Sequence, residues 1–372
     1  MAPPTRLGAL TSRRVPLLLS DVVSAAGSSH PDRSPLLRLL LTRPLLFIGG
    51  KGGVGKTTTA AALALTSADT GRRTLLVSTD PAHSLGDLFD RAIGSRETSL
   101  TPSLWAIEVD PDEQADDHLA TVKARMKRLV HPKAYDEIDR QLDLALLAPG
   151  TTEAAMLERV SEVMALAGDR YDQVIFDTAP TGHTVRLLSL PEIMAAWTEG
   201  LLGHRKRSER LSSALRHLGG GRMQGDDLSM LDAAVDHDLG SRDAQLSTLL
   251  QNRRRKFVRA REQLLDREQC AFLLVLNPDR LSVLETIKAR DTLARFSVPV
   301  SALVVNQVLP TNADGTFLEA RRRQEAKHLG WIDNEFSSVP RVRVPLLPGD
   351  VHDLDTLRRL GSWIASDGQD SD

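Results

Sequence analysis

Cysteine is nearly absent from this sequence, because Cys270 is the single one among 372 residues. An internal disulfide is therefore excluded, and the composition fits a reducing compartment. Sites that need several thiolates from one chain are excluded too: a zinc site with a C-x-x-C pair, a multi-thiol metalloid site, and an iron–sulfur cluster with two cysteines per subunit. Cys270 directly precedes the apolar run 271–276, so we expect it to pack in the core.

The chain also lacks long apolar runs and an excess of positive charge. No stretch reaches the roughly 18 apolar residues of a membrane-spanning helix, so no direct membrane span is expected. Lys and Arg number 47 against 49 Asp and Glu, a formal net charge of −2, which gives no reason to expect a nucleic-acid partner. The basic run 253–256 lies in a polar helical pattern and indicates a solvated helix face.

Residues 1–33 are rich in Pro, Ser, Gly and Arg, and we predict that they form a loose tail. Arg13 and Arg14, with the apolar residues behind them, faintly resemble a twin-arginine export signal. Asp21 cuts that apolar region short and no convincing cleavage site follows, so a cytoplasmic location is the favoured prediction. Residues 34–43 are leucine-rich and predict a short helix packed on a sheet.

Short segments rich in Val, Ile and Leu alternate with helical patterns along the rest of the chain, which is typical of a parallel sheet. The predicted strands are 45–49, 73–79, 104–109, 172–177, 271–277, 301–306 and 340–345. We therefore predict an α/β fold with a doubly wound, mostly parallel sheet of the P-loop NTPase kind. A single domain over 34–372 is expected, in which the long intervals 111–168 and 190–268 form an inserted helical subdomain.

The most informative segment is 49–58, which reads Gly-Gly-Lys-Gly-Gly-Val-Gly-Lys-Thr-Thr. It lies between a predicted strand and a predicted helix, the context that a phosphate-binding loop requires. In such a loop, backbone N–H groups turn inward around phosphate oxygens, and the helix N-terminus adds its positive end. The predicted nucleotide-binding residues here are Gly50, Gly52, Gly53, Val54, Gly55, Lys56, Thr57 and Thr58.

Individual roles follow for three residues of this loop. Lys56 is expected to reach the β- and γ-phosphates, and the Thr57 hydroxyl to bind Mg²⁺, so ATP and Mg²⁺ are the predicted ligands. Lys51 is one lysine more than the phosphates of a single subunit need. It resembles the signature lysine of the deviant P-loop ATPases, which reaches into the partner's nucleotide site. That resemblance implies a homodimer with ATP at its interface.

Two further segments carry candidate catalytic side chains. In 78–87, Asp80 directly follows a predicted strand, where it could orient an attacking water near the γ-phosphate, with Asp87 as a supporting partner. In 174–186, Asp177 ends an apolar strand beside the expected Mg²⁺, and the residues after it could move when the γ-phosphate leaves. The predicted metal-site residues are Thr57, Asp80 and Asp177. For His83 and His183 a hydrogen-bonding role is favoured over metal binding, because no paired cysteine or carboxylate lies at metal spacing.

These loops together resemble the family of arsenite-pump ATPases and guided-entry ATPases that target tail-anchored proteins. The resemblance covers most of 44–360, in the family's order. The matching segments are 50–58, 78–87, 149–150, 153–154, 177–188, 281–286, 304–307 and 345–348. It implies that Lys51 acts across the dimer, that Asp80 polarises water and that Asp177 is the switch carboxylate.

The resemblance further implies that Asn306 contacts adenine and that residues from Pro345 to Asp350 form the other wall of the base pocket. Taken by itself, Asn306 could equally be a strand-end cap, and the Asn306–Gln307 pair favours base contact. The family also implies a hydrophobic or membrane-protein client as a partner.

The sequence departs from that family in two ways. The paired cysteines that clasp zinc or hold metalloid are missing, and 195–239 contains only Met223 and Met230 for a methionine-rich client groove. Two alternatives to a client-coupled ATPase stay open. One is a holdase for hydrophobic segments in which hydrolysis only times release. The other is a partition-type ATPase, which would need a basic DNA face or a membrane-binding C-terminal helix in place of the polar end 367–372.

Overall fold

The computed structural model describes residues 34–80, 84–129, 135–136, 139–140, 151–178, 251–252, 254–312 and 314–366. The predictions for the tail 1–33, for 190–250 and for both His83 and His183 fall outside the described residues. The inserted helical subdomain is described only in part, so it stays a prediction.

The described residues contain eight strands and eight named helices. The strands are β1 Leu45–Gly50, β2 Thr74–Ser78, β3 Thr98–Thr101, β4 Leu104–Glu108, β5 Gln173–Asp177, β6 Cys270–Leu276, β7 Val300–Val308 and β8 Arg341–Pro345. The helices are α1 Pro35–Thr42, α2 Lys56–Asp69, α3 Ser84–Phe89, α4 Pro111–Leu129, α5 Thr151–Met164, α6 Arg280–Arg295, α7 Thr316–Glu335 and α8 Leu354–Ala365. Residues 254–265 are also helical.

All eight strands join one sheet in the order β3-β4-β2-β5-β1-β6-β7-β8. Every neighbouring pair is parallel except β3 with β4. The predicted α/β fold with a mostly parallel sheet is therefore confirmed. The sequence did not predict β3, a four-residue edge strand whose residues are half-buried or exposed and so carry no apolar run.

Apolar layers cover both faces of the sheet. One layer contains α1, α2 and α8, and the other contains α5, α6, α7 and the helical residues 254–265. In the second layer, Phe47 on β1 stacks with Phe176 on β5 at 4.5 Å and with Phe272 on β6 at 4.9 Å between ring centroids. Each stacked pair contributes about 1 kcal/mol beyond its buried area. The strand that precedes the phosphate-binding loop is thus fixed on both sides.

Two local predictions are confirmed in these layers. Residue Ser34 caps α1, its hydroxyl accepting from the backbone N–H of Leu37 at 3.4 Å, and the helix buries Leu36 and Leu40. Cys270 lies buried at the start of β6, where burial raises the pKa of its thiol. Among the described residues, every helix is too short or too polar to cross a bilayer.

Candidate nucleotide site

The phosphate-binding loop connects the central strand β1 to α2. Gly50 passes so close to β6 that a Cβ atom there would collide with the carbonyl oxygen of Val275. Gly55 has a φ of 88° and precedes the first helical residue, and a Cβ there would meet the side-chain amide of Asn306. Gly55 has no side chain that could cap α2, and the first turn of a helix is a common binding position for a phosphate.

The two lysines of the loop have different surroundings. Lys56 is 5% exposed, and its Nζ donates to the carbonyl oxygen of Lys51 at 3.2 Å. Lys51 itself is half-buried. The Lys56 ammonium is therefore folded over the loop, and its contact with the phosphates stays a prediction.

Three strand-end residues stand in register beside the loop. Ser78 ends β2 and pairs with Glu108 at the end of β4 on one side and with Asp177 at the end of β5 on the other. All three are buried. On the far side of Asp177, the N–H and the hydroxyl of Thr178 both donate to the carbonyl oxygen of Ile48, at 3.1 and 2.8 Å, and fix β5 to β1.

The carboxyl group of Asp177, at the end of β5, has a pKa well above its ordinary value. Its Oδ2 accepts from the Thr57 hydroxyl at 2.6 Å and from the Ser78 hydroxyl at 3.5 Å, whereas its buried Oδ1 has no hydrogen-bond partner among the described residues. Burial raises the pKa of Asp177 to about 6, although the hydrogen bond from Thr57 and the charge of Lys56 lower it. The nearby charge of Asp80 raises it further.

This environment fits a Mg²⁺ ion. A buried carboxylate oxygen without a partner costs free energy unless a cation or donor binds it. Together with the Thr57 hydroxyl it supplies hard oxygen ligands, and Mg²⁺ commonly uses only one or two protein ligands beside water and phosphate. When bound, Mg²⁺ would supply positive charge against the phosphates. Among the described residues no three His, Cys, Asp or Glu side chains cluster as a metal site, so a metal held by protein carboxylates alone is not indicated there.

Asp80 follows β2 and is tied to Asp177 through Ser78. The N–H of Asp80 donates to the Ser78 hydroxyl oxygen at 3.2 Å, and that hydroxyl donates in turn to Asp177. The N–H of Thr79 also donates to the carbonyl oxygen of Asp177 at 2.9 Å. The two predicted catalytic segments therefore meet at β2 and β5, and the carboxylates of Asp80 and Asp177 are close enough to interact electrostatically.

The predicted base-contacting residues lie on the other side of β1. Asn306 on β7 donates through Nδ2 to the carbonyl oxygen of Val54 at 2.8 Å, so it braces the phosphate-binding loop. Its contact with adenine stays a prediction. Pro345 ends β8, which β6 and β7 separate from β1. The structure thus brings Asn306 to the loop and places Pro345 farther out along the same sheet edge.

Glu108 lies beside Ser78 in the sheet, and the sequence did not predict a role for it. It is 3% exposed, and its Oε1 accepts from the backbone N–H groups of Leu85 at 2.7 Å and Gly86 at 3.3 Å, at the start of α3. Asp87, expected to support this segment, is exposed. A signal was available, because Glu108 ends an apolar strand with an acidic residue in the same way as Asp177.

Comparison with known proteins identifies the family. A family model described as anion-transporting ATPase matches residues 43–366. ATPase ASNA1 homolog 1 of Paramecium tetraurelia is 32% identical over 321 residues, which are 85% of this chain and 90% of that protein. ATPase GET3 of Podospora anserina is 33% identical over 332 residues, 86% of this chain and 89% of that protein. An Aquifex aeolicus protein named as a candidate arsenical pump-driving ATPase is 29% identical over 320 residues, 86% of this chain and 98% of its own.

The matched range contains the phosphate-binding loop, the strand-end residues of β2, β4 and β5, and Asn306. The resemblance inferred from the loop sequences is therefore confirmed over most of the chain. This chain belongs to the anion-transporting ATPase family, and it is an ATPase.

Proposed function

We propose that this protein is a Mg²⁺-dependent ATPase that works as a homodimer and couples hydrolysis to a hydrophobic or membrane-protein client. The observation that carries the metal-dependent part is the buried Oδ1 of Asp177, which has no partner among the described residues, beside the Thr57 hydroxyl. A buried carboxylate oxygen to which the described residues donate no hydrogen bond is suited to bind a cation that enters with the nucleotide.

The residues at the carboxyl ends of the strands have different roles in hydrolysis. The loop N–H groups and Lys56 would hold the phosphates, and Thr57 and Asp177 would hold the Mg²⁺. Asp80 orients a water for attack on the γ-phosphate, which yields ADP and inorganic phosphate. Asp80 is suited to this because Ser78 holds its backbone beside Asp177, while its side chain is only half-buried.

The dimeric part of the proposal rests on the contrast between Lys51 and Lys56. Lys56 is buried and turned over its own loop, which accounts for the cation that one set of phosphates needs. Lys51 contributes its carbonyl oxygen to that arrangement and is half-buried. Its ammonium can then serve a nucleotide bound by a second subunit, as the resemblance to the signature-lysine ATPases implies.

A hydrophobic client is favoured over a metalloid. Relatives bear the names GET3, ASNA1 homolog and arsenical pump-driving ATPase, so both kinds of partner are represented among similar proteins. Metalloid binding of the thiolate kind needs several cysteines, and here the single Cys270 is buried in the core, where burial raises the pKa of its thiol. The cytoplasm is the compartment that we propose, on the same scarcity of cysteine.

Turnover and particle mass, measured on one sample, test the proposal. The protein is assayed with Mg·ATP alone, with arsenite, and with a peptide carrying an apolar helix. We expect a mass near twice that of the monomer with Mg·ATP, and peptide-stimulated turnover or stable peptide capture. A monomer at all nucleotide concentrations would overturn the dimer. Stimulation by arsenite that persists in a Cys270→Ala variant would replace the hydrophobic client with a metalloid site not built from thiolates.

A further inference from the structure

We propose that Glu108 is a positioning residue for hydrolysis, which acts by fixing the segment that carries Asp80. This inference rests on the proposed role of Asp80 in orienting water. Glu108 ends β4 and lies outside the sequence motifs that contain the other proposed site residues.

The segment after β2 is held at its start by the last residue of β2 and at its far end by the last residue of β4. At its start, the N–H of Asp80 donates to the Ser78 hydroxyl oxygen at 3.2 Å. At its far end, α3 begins at Ser84, and the Glu108 carboxylate accepts from the N–H groups of Leu85 and Gly86. Only a few residues separate these two anchors, so the position of α3 limits where the backbone of Asp80 can lie.

Glu108 is held as firmly as the strand that it ends. It pairs in register with Ser78, and the N–H of the following residue, Val109, donates to the Ser78 carbonyl oxygen at 2.9 Å. Its side chain is 3% exposed. The anchor for α3 is therefore part of the sheet, and a shift of α3 would have to break hydrogen bonds to a buried carboxylate.

The packing around Gly86 shows that α3 has little freedom at this point. A Cβ at Gly86 would lie 3.2 Å from the carbonyl oxygen of Arg91 and 3.8 Å from Oε2 of Glu108. The carboxylate and the first turn of α3 are thus in close contact. Loss of the carboxylate would leave the buried N–H of Leu85 and the half-buried N–H of Gly86 without this acceptor and let the turn move.

Four variants test the inference: Glu108→Ala, Glu108→Gln, Asp80→Asn and the pair Asp80→Asn with Glu108→Ala. We measure kcat, the dissociation constant of a fluorescent ATP analogue and the melting temperature. Glu108→Ala should lower kcat about tenfold, because a small displacement of a catalytic group is costly, while the dissociation constant changes less than about twofold. Glu108→Gln keeps an acceptor oxygen at the same place and should recover most of kcat.

Asp172→Ala is the matched control. Asp172 also accepts from a backbone N–H, that of Arg73 at 2.8 Å, but it precedes β5 at the opposite edge of the sheet. It should lower the melting temperature and leave kcat unchanged. In the double variant, adding Glu108→Ala to Asp80→Asn should cause no further loss of the residual kcat, because the two residues act through one group.

The outcomes separate this inference from the proposed role of Asp80. If Asp80→Asn loses turnover while Glu108→Ala keeps a normal kcat, the positioning role is wrong and the role of Asp80 stands. If Glu108→Ala loses kcat and nucleotide binding in equal proportion, or Asp172→Ala loses kcat as much, Glu108 only supports the fold. If Asp80→Asn turns over normally, Asp80 does not orient the water, and the positioning of Asp80 by Glu108 is overturned with it.

Discussion

The ends of β4 and β5 flank the same residue, Ser78, and both finish in a buried carboxylate, yet the two carboxylates are used in opposite ways. Glu108 accepts from two backbone N–H groups of α3, as a helix cap does. Asp177 accepts from side-chain hydroxyls on Oδ2, and its Oδ1 is buried without a partner among the described residues. The first arrangement holds the start of α3, and the second supports the proposal that Asp177 binds a ligand.

Proteins tolerate a buried, partly satisfied carboxylate when a bound group completes it. Without that group the charge costs free energy, and the cost shows in the pKa of Asp177, which burial raises to about 6. The difference between the two strand ends therefore supports a ligand-binding role for Asp177, whereas Glu108 binds the backbone of α3.

Removing the charge of Asp177 should have the largest effect on activity. Asp177→Asn keeps the size and an acceptor for Thr57 but loses the anionic metal ligand, so we expect kcat with Mg·ATP to fall by roughly a thousandfold or more. Turnover is measured across a Mg²⁺ titration. The matched variant Glu108→Gln should lose far less. Similar losses in the two variants would show that the strand ends do not differ in function.

Asp80→Asn is expected to come next, with kcat lowered by about a thousandfold or less, since general-base and water-orienting groups contribute about 10²–10⁴. Nucleotide binding should stay within about twofold of the wild type, because the loop and its Ser78 anchor remain. Equilibrium binding and single-turnover hydrolysis of ATP distinguish the two quantities. Normal turnover in this variant would leave Asp177 as the only catalytic carboxylate at this edge.

The contrast between the two strand ends also marks the limit of what the sequence could predict. The phosphate-binding residues are contiguous, so a single segment identifies them. Seven of the eight described strands were predicted to within about two residues because each is an apolar run. Asp177 was found because its strand ends in an acidic residue that is followed by the sequence Thr-Ala-Pro. Glu108 ends its strand similarly but is followed by Val109 and Asp110, a sequence with no motif.

The features that could not be predicted from the sequence depend on strand order and register. Glu108 caps α3 only because β4 lies beside β2 in register, and an order in which β5 also adjoins β2 cannot be inferred from local patterns. The bond from Asn306 to Val54 joins residues 252 positions apart. The edge strand β3 lacks an apolar run altogether. Each of these features arises from tertiary neighbours, which propensity does not encode.

The raised pKa of Asp177 should appear as a pH-dependent stability difference. The ordinary value is 3.8 and the folded value is about 6, so the folded state binds this proton more tightly than the unfolded state. The free energy of unfolding of the nucleotide- and metal-free protein should therefore fall by roughly 3 kcal/mol as the pH rises from about 4 to above 6. Asp177→Asn should lack this component.

Urea unfolding of both proteins at several pH values gives that difference directly, because all other titrating groups are shared. The variant should be the more stable protein at pH 7 and lose its advantage near pH 4. A variant less stable than the wild type at pH 7 would mean that the buried Oδ1 of Asp177 does have a favourable partner when no ligand is bound.

Lys51→Ala tests whether a second subunit contributes its Lys51 to the nucleotide site that we propose beside Asp177. The dissociation constant of the ATP-bound dimer should rise by roughly tenfold or more, since an interfacial cation facing phosphate is lost. ATP binding by the monomer should change much less. Analytical ultracentrifugation with a nonhydrolysable ATP analogue measures the first quantity, and Lys288→Ala on α6 controls for the loss of an exposed lysine. Equal loss of dimerisation and monomer binding would place Lys51 in its own subunit's site.

The smallest effect is expected at Ser78, which stands between the two carboxylates. Its hydroxyl accepts from the Asp80 N–H at 3.2 Å and donates to Asp177 over a long 3.5 Å, so Ser78→Ala removes one good and one weak hydrogen bond. We expect kcat to fall by about threefold, because Thr79 still joins β2 to β5 through the Asp177 carbonyl oxygen. Ser161→Ala removes a buried hydroxyl that donates to the Leu157 carbonyl oxygen within α5 and should leave kcat unchanged. If Ser78→Ala instead lowers kcat as much as Asp80→Asn does, the link that Ser78 makes between Asp80 and Asp177 is itself essential for hydrolysis. The roles of the residues at these strand ends would then be less separate than we propose.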